Sequence, residues 1–189
     1  MKKSRQRYNI ALLPEDGLAA DLINYAQRHF RHSAEGYLLS HGKALPHVTL
    51  VQFYLPKNFS LDEIRQALRR FKKFYKIYLS GLLFRSLDDW GRNNFWSIWV
   101  DTRPDKEILD LRQKVFQLLE KAHCQYPPTS EEYDPHITLC VMPVQEKTPS
   151  ISWLPCLGTA HRFQLGIGLS DDIGQFQKPL FELAKGRRR

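Results

Sequence analysis

Two five-residue stretches of the sequence repeat the same residue types in the same order. Residues 46–50 read Pro-His-Val-Thr-Leu, and residues 135–139, which lie 89 positions later, read Pro-His-Ile-Thr-Leu. Histidine has the ordinary pKa closest to neutrality, and a threonine hydroxyl can donate a hydrogen bond. The chain therefore carries two matched pairs, each of a proton-transfer group and a hydroxyl donor.

A β-strand would place each pair on one of its faces. Alternate side chains of a strand point the same way, so His47 shares a face with Thr49, about 7 Å along the strand, and His136 shares a face with Thr138. If these faces meet, one imidazole can accept a proton from an attacking oxygen while the other donates a proton to a leaving oxygen. The hydroxyls can bind the oxygens of a phosphoryl group, where negative charge develops. These residue types predict acid–base cleavage of a phosphoester without an obligatory metal.

The elements around the two motifs follow the same order. Residues 8–13 read as a strand, residues 18–30 have apolar residues at helical spacing, and residues 47–53 read as a second strand. In the later half, residues 95–100 read as a strand, Pro104 and Asp105 open a helix that runs through Leu119, and residues 136–142 read as a strand. The order predicts an internal duplication, with half-repeats 8–56 and 95–143 inside one domain of residues 1–189.

The remaining segments fit around these halves. Residues 61–71 read as a helix with Ser60 as its N-cap, residues 74–84 as a strand, and residues 163–169 and 179–183 as the arms of a hairpin. The predicted fold class is α+β, a bilobal duplicated fold in which two antiparallel β-sheets face a central cleft with the helices outside.

The composition limits the class of protein. The apolar share of 42% and the charged share of 25% are typical of a globular domain, and the net charge of +8 favours an anionic partner. The three cysteines lack the spacing of a zinc site and are expected in the core. Since no apolar run approaches the ~18 residues of a membrane span, we expect a cytoplasmic monomer without a membrane partner.

The paired motifs identify a related family. The two His-x-Thr motifs, each followed by leucine, resemble the HxTx motifs of the 2H phosphoesterase superfamily, in particular its 2′-5′ RNA ligase-like and cyclic phosphodiesterase branch. The resemblance covers nearly the whole chain in the order of elements, and the two tetrapeptides are its specific part. It implies that His47, Thr49, His136 and Thr138 are catalytic. It also implies a bilobal fold and opening of a nucleoside or RNA 2′,3′-cyclic phosphate to a 2′-phosphate without a cofactor.

One stretch departs from the pattern of the family. Several relatives carry an arginine shortly after the second motif, whereas residues 140–142 read Cys-Val-Met here. A substrate contact that is made there in relatives must come from elsewhere in this chain or be absent. The departure puts the substrate in doubt more than the type of reaction.

Two further residues are candidates for substrate binding. Lys43 precedes the first motif histidine by four residues, and Tyr133 precedes the second by three. The lysine can attract a phosphate and the tyrosine can stack on a base, while an exposed lysine and a packing tyrosine are the alternatives. Strand parity places Phe53 on the side of His47, at the far end of the cleft or in the core. The tryptophans are expected mostly in the core, and the other histidines, namely His29, His32, His41, His123 and His161, at the surface or in caps.

Three alternatives to this function remain open at this level. The motif histidines could share a metal ion, although threonine is a poor ligand and no acidic or thiol ligand has a fixed spacing to them. The same site could join RNA ends through a 2′-5′ bond or trim 2′-5′-linked or 3′-terminal oligonucleotides. The chain could also be a non-catalytic RNA-binding module, although binding alone has no need of two proton-transfer groups.

Overall fold

The computed structural model describes residues 5–87, 94–103, 105–127, 133–144, 151–171 and 174–182. Within these ranges, helices α1 (Asp16–Phe30), α2 (Leu61–Leu68) and α3 (Lys106–Lys121) accompany eight strands. The strands are β1 (Arg7–Pro14), β2 (Tyr37–Leu38), β3 (Val48–Tyr54), β4 (Phe74–Ser86), β5 (Phe95–Arg103), β6 (His136–Pro143), β7 (Thr159–Ser170) and β8 (Phe176–Glu182). Every strand pairing is antiparallel, so the α+β prediction is confirmed.

The strands form one hydrogen-bonded sheet rather than two. Its order is β2-β6-β5-β4-β7-β1-β3, and β8 pairs with β7 beside this path. The prediction of two separate sheets is wrong at this point because β4 is long enough to pair with two neighbours. Residues 74–79 of β4 pair with β7, and residues 78–86 pair with β5. This strand joins a half that contains β3, β1, β7 and β8 to a half that contains β2, β6, β5 and β4.

The sheet curves so strongly that distant strands meet. Strands β3 and β6 are in contact although four strands lie between them in the sheet order. In a flat sheet they would be about 24 Å apart, because neighbouring strands are spaced by about 4.8 Å. Helix α1 contacts both β1 and β6, which also requires the two halves to approach each other. The curvature therefore brings together the strands that carry the two motifs.

Local sequence signals explain where the helices begin. Ser60 caps α2 through its side chain and forms a capping box with Glu63, as its position before the apolar stripe predicts. Asp105 caps α3 by accepting a 3.0 Å hydrogen bond from the backbone N–H of Ile108, while the predicted helix-opening Pro104 lies outside the described residues. Helix α2 ends at Leu68, earlier than predicted, because the backbone turns at Arg69. No described helix has the length and apolarity to cross a membrane.

The strands agree with the sequence patterns except for one short element. The predicted hairpin is formed by β7 and β8, although Leu183 at its predicted end lies outside the described residues. Strand β2 was not predicted, since it comprises only two residues inside a polar stretch and exists through its bonds to β6. The buried interior contains Cys124, Cys140 and Cys156, as expected for core cysteines.

A glycine in β7 makes room for an aromatic ring from β8. A Cβ atom added at Gly168 would lie 2.3 Å from Cζ of Phe176 and 2.5 Å from the Lys178 carbonyl oxygen. We therefore expect Gly168→Ala to lower the free energy of unfolding by about 1–3 kcal/mol, measured by urea denaturation. Gly81→Ala is the matched control, because a Cβ atom at that strand position meets no atom within 4 Å. Equal losses in the two variants would contradict this packing.

Candidate active site

The two motifs lie on strands that contact each other. His47 directly precedes β3, and His136 is the first residue of β6. The hydroxyl of Tyr133, just before β6, donates a 3.0 Å hydrogen bond to the backbone carbonyl of Thr49. His136 is near enough to His47 that its charge lowers the pKa of the His47 imidazole. The curved sheet therefore gathers the motif residues at one place.

Each motif imidazole is held by the same backbone hydrogen bond. Nδ1 of His47 lies 2.8 Å from the carbonyl oxygen of Leu45, and Nδ1 of His136 lies 2.7 Å from the carbonyl oxygen of Asp134. A carbonyl can only accept, so Nδ1 must carry the proton in both rings. Nε2 of each ring is then left to accept a proton when the ring is neutral and to donate one when it is charged. This is the form that a two-histidine acid–base reaction needs.

The same β-bulge follows the threonine in both motif strands. Leu50 is the extra residue opposite Ile10 and Ala11, and Leu139 is the extra residue opposite Ile98 and Trp99. Both leucines are buried, so each bulge anchors its motif to the core and changes the alternation of the strand beyond it. The two bulges are again 89 positions apart. They support the duplication with half-repeats 8–56 and 95–143, which we retain as a proposal.

The bulge in β3 corrects the predicted position of Phe53. Strand parity placed this ring on the side of His47, at the far end of the cleft or in the core. Because Leu50 occupies an extra position, the alternation shifts by one residue, and Phe53 is fully buried in the core, stacked at 5.6 Å on the ring of Tyr8. Phe53 therefore belongs to the core, the second of the two predicted locations.

The threonines are half-buried between buried neighbours in their strands. The amide Nδ2 of Asn9 donates a 3.1 Å hydrogen bond to Oγ1 of Thr49, so the hydroxyl proton of Thr49 remains available to another acceptor. Thr138 pairs in register with Trp99, whose ring stacks on His136, so Thr138 and His136 border the same side of the sheet. Sequence reasoning missed Asn9, although a fully buried asparagine inside the apolar run of β1 was a usable signal.

Aromatic rings flank both imidazoles. Trp99 stacks on His136 with a centroid distance of 3.6 Å and an interplanar angle of 8°. Phe176 lies beside His47 at 5.3 Å with the rings tilted by 40°. The indole of Trp99 is itself fixed by a 2.5 Å hydrogen bond from Nε1 to Oγ of Ser97. Trp99, expected in the core, is therefore buried against the site, and no spacing in the sequence indicated this.

Burial lowers the pKa of both imidazoles. For His47 it lowers the pKa to about 4, with a further decrease from the charge of His136 and a partial increase from the Leu45 carbonyl. For His136 burial is again the largest cause, and it is opposed by the carbonyl and carboxylate of Asp134 and by Asp101. Because each positive ring disfavours the other, the pair resists holding two protons at once.

The two predicted substrate-binding residues have different surroundings. Lys43 is exposed in the turn between Ser40 and Ala44, where its role in substrate binding stays a prediction. Tyr133 binds the Thr49 carbonyl through its hydroxyl, and the guanidinium of Arg112 lies 4.2 Å from its ring centroid. Burial raises the pKa of Tyr133, so the hydroxyl keeps the proton that it donates. These contacts favour a role in joining the motif strands over stacking on a base.

The other histidines and tryptophans lie elsewhere. His29 packs on Tyr25, and His161 bonds to the carbonyl of Cys156. Trp96 packs against Phe84, and Trp153 is 72% exposed, whereas Trp90 lies outside the described residues. Among the residues that the structure describes, no group of three or more histidine, cysteine or acidic side chains is arranged to hold a metal ion.

The fold and the arrangement of the motifs define a class before any individual protein is compared. The structure is an antiparallel α+β fold with paired His-x-Thr strands in contact. At the level of sequence, no protein-family model and no curated protein matches the chain. Solved structures do match, and they share its fold.

E. coli LigT complexed with 3′-AMP is 16% identical, with a TM-score of 0.60 over 96% of this chain and 100% of that one. A protein described as a phosphoesterase is 15% identical, with a TM-score of 0.56 over 94% of this chain and 96% of its own. LigT complexed with ATP matches with 15% identity and a TM-score of 0.55 over 95% of this chain and 97% of that one. The fold that the motif resemblance implied is therefore confirmed as LigT-like.

The hydrogen bond between Tyr133 and Thr49 can be tested directly. We expect Tyr133→Phe to lower the free energy of unfolding by about 1 kcal/mol, because a carbonyl between the motif strands loses its donor. Tyr126→Phe is the matched control, since the buried hydroxyl of Tyr126 has no hydrogen-bond partner among the described residues. Urea denaturation of both variants measures the difference. A Tyr133→Phe variant as stable as the control would show that the bond contributes nothing.

The pKa of His47 also predicts how stability depends on pH. Its ordinary value of 6.5 applies in the unfolded chain, and the folded value is about 4, so the unfolded state binds a proton that the folded state refuses. The free energy of unfolding should be highest above pH 6.5 and should fall by up to about 3 kcal/mol as the pH decreases towards 4. We expect His47→Gln to flatten this dependence in denaturation curves, whereas His32→Gln, at an exposed position, should leave it unchanged.

Proposed function

We propose that the protein is a metal-independent phosphodiesterase that opens 2′,3′-cyclic phosphates of nucleotides or RNA ends to 2′-phosphates. The observation that carries this proposal is the matched pair of imidazoles, each fixed through Nδ1 to a backbone carbonyl and presented from two strands in contact. A site that only binds phosphate has no need of two histidines prepared in the same form. A reaction that takes a proton on one side of phosphorus and gives one on the other side requires both.

The reaction assigns one step to each ring. Nε2 of one histidine accepts a proton from water as the water oxygen attacks phosphorus in line. The bond from phosphorus to the ribose 3′ oxygen breaks, and Nε2 of the second histidine gives its proton to that oxygen. The ring that accepted a proton and the ring that lost one then exchange protons with solvent, which restores the starting state.

The threonine hydroxyls bind the non-bridging oxygens of the phosphoryl group. Asn9 occupies a lone pair of the Thr49 hydroxyl, so this hydroxyl donates its proton towards the phosphoryl group. Thr138 takes the corresponding role in the second motif. Donors that are already oriented stabilise the charge that develops in the transition state without having to reorganise.

The electrostatics of the pair suit this cycle. Because the charge on one ring lowers the pKa of the other, the empty site holds at most one proton at neutral pH. An anionic phosphate placed between the rings raises both pKa values and favours uptake of one proton. The bound complex then contains one neutral ring, which is the base, and one charged ring, which is the acid.

The fold neighbours and the charge of the chain support a nucleotide substrate. LigT has been solved with 3′-AMP, with ATP and with phosphate, at 14–16% identity to this chain across the LigT structures. The net charge of +8 favours a phosphate-containing partner by raising its local concentration. The cytoplasm and a monomeric state remain our predictions.

Alanine substitutions test the paired roles. We expect His47→Ala and His136→Ala each to lower kcat on a nucleoside 2′,3′-cyclic phosphate by about 10²–10⁴-fold, because each removes a proton-transfer group. The matched control His161→Ala lies outside the site and should retain the parent rate. Liquid chromatography of the products measures turnover and shows whether the 2′-phosphate is formed.

The same assay separates the alternatives. Joining of RNA ends, or release of nucleotides from 2′-5′-linked or 3′-terminal oligonucleotides, would assign the site to another reaction. Turnover that a chelator abolishes and a divalent ion restores would assign it to a metal. RNA binding that persists in the double variant, together with no turnover by the parent on any cyclic phosphate, would favour a binding module.

A further inference from the structure

The two imidazoles share a backbone hydrogen bond but differ in what surrounds the ring. His47 is 6% exposed, and the ring beside it is the apolar Phe176, itself fully buried. His136 is half-buried, and the ring that covers it is the indole of Trp99. Charged side chains approach His136 from three elements, as the next contacts show. The two halves of the site are therefore matched in backbone geometry and unmatched in electrostatics.

A closed ring of contacts surrounds His136. The carbonyl of Asp134 accepts from Nδ1 of His136 at 2.7 Å, and the carboxylate of Asp134 pairs with Nη2 of Arg85 at 2.9 Å. The guanidinium of Arg85 lies 5.6 Å from the ring centroid of Trp99, and Trp99 stacks on His136. Each member thus contacts the next, and the last contacts the first. We call Asp134, Arg85 and Trp99 the His136 ring.

The charges facing His136 act in opposite directions. The carboxylate of Asp134 and that of Asp101, which pairs with His136 across β5 and β6, favour a positive imidazole. The face of an indole also attracts a cation. Arg85 and a charged His47 oppose protonation. The side chain that touches both Asp134 and Trp99 is therefore the one that offsets them.

We propose that Asp134, Arg85 and Trp99 are positioning residues that fix the plane of His136 and set its charge, so that His136 enters the reaction protonated as the acid. His47, packed against Phe176 away from these carboxylates, is then the base. The order of the two proton transfers rests on the proposed function. The control of the charge on His136 by its neighbours does not, so the two can be tested separately.

The control of charge is tested by two substitutions with opposite expected effects. Arg85→Gln removes the cation and leaves the Asp134 carboxylate unpaired, so the NMR titration midpoint of His136 should move to higher pH. Asp134→Asn removes the carboxylate and leaves the arginine unpaired, so the midpoint should move to lower pH. The His136 resonance is identified by its absence in His136→Ala. Because both side chains are partly exposed, the fold should tolerate both changes.

The chain supplies a matched control pair. Arg162 and Glu15 form an ion pair at 3.1 Å with similar exposure, and Arg162 also stacks on an aromatic ring, that of Phe74. Arg162→Gln and Glu15→Gln should leave the midpoint of His136 in place. If the midpoint fails to move in both ring variants, moves in one direction in both, or moves equally in the controls, the proposal is overturned.

The acid role is tested with an activated ester. A 3′-deoxynucleoside 2′-(4-nitrophenyl phosphate) releases a phenolate that needs no proton, so loss of the acid should matter less on this ester than on the cyclic phosphate. His136→Ala should lose at least about tenfold less kcat on the ester, whereas His47→Ala should lose similar amounts on both substrates. The reverse pattern would make His47 the acid. A parent that turns over neither substrate would overturn the proposed function and leave the titration result standing.

The stacking partner has its own readout. Trp99→Phe keeps an aromatic face against His136, and Trp99→Leu removes it. We expect Trp99→Leu to lower kcat about tenfold with little change in KM and to move the His136 midpoint to lower pH, because the favourable indole face is lost. Trp99→Phe should recover most of both. Equal behaviour of the two variants, with an unchanged midpoint, would assign Trp99 to packing alone.

Discussion

The candidate site depends on the contact between β3 and β6. These strands are separated by four others in the sheet order, so the contact exists only because the sheet curves back on itself. The long strand β4 makes the curve possible by pairing with β7 through its first half and with β5 through its second half. The hydroxyl of Tyr133 joins the two motif strands at the carbonyl of Thr49. Without this closure, each motif would be an ordinary polar pair on a strand.

The backbone prepares the two imidazoles in the same way. In each motif a carbonyl two residues before the histidine binds Nδ1, and a bulge at the leucine after the threonine anchors the strand in the core. Both devices use main-chain atoms and local chain geometry, so they repeat wherever the motif repeats. The repeated sequence therefore encodes the direction in which each Nε2 atom is presented, in addition to the identity of the side chain.

The side chains around the motifs break this equivalence. Phe176 beside His47 is apolar, whereas Trp99, Arg85 and Asp134 surround His136 with an aromatic face and two charges. Burial lowers the pKa of both rings, but only His136 has carboxylates that oppose the effect. A duplicated backbone with different neighbours is a direct way to give two identical residues the two different roles that acid–base catalysis requires.

The sequence by itself determined the motifs, the order of the elements and most of their bounds, since periodicity and capping act within a few residues. Ser60 and Asp105 cap their helices where the pattern placed them. Sequence reasoning failed for Phe53, Trp99 and Arg85. A single extra residue in β3 settled the side to which Phe53 points, and pairing between distant strands brought the other two to His136. Tertiary structure alone decided the single sheet, the meeting of β3 with β6 and the electrostatics of each histidine, because curvature and burial arise from contacts between residues far apart in the chain.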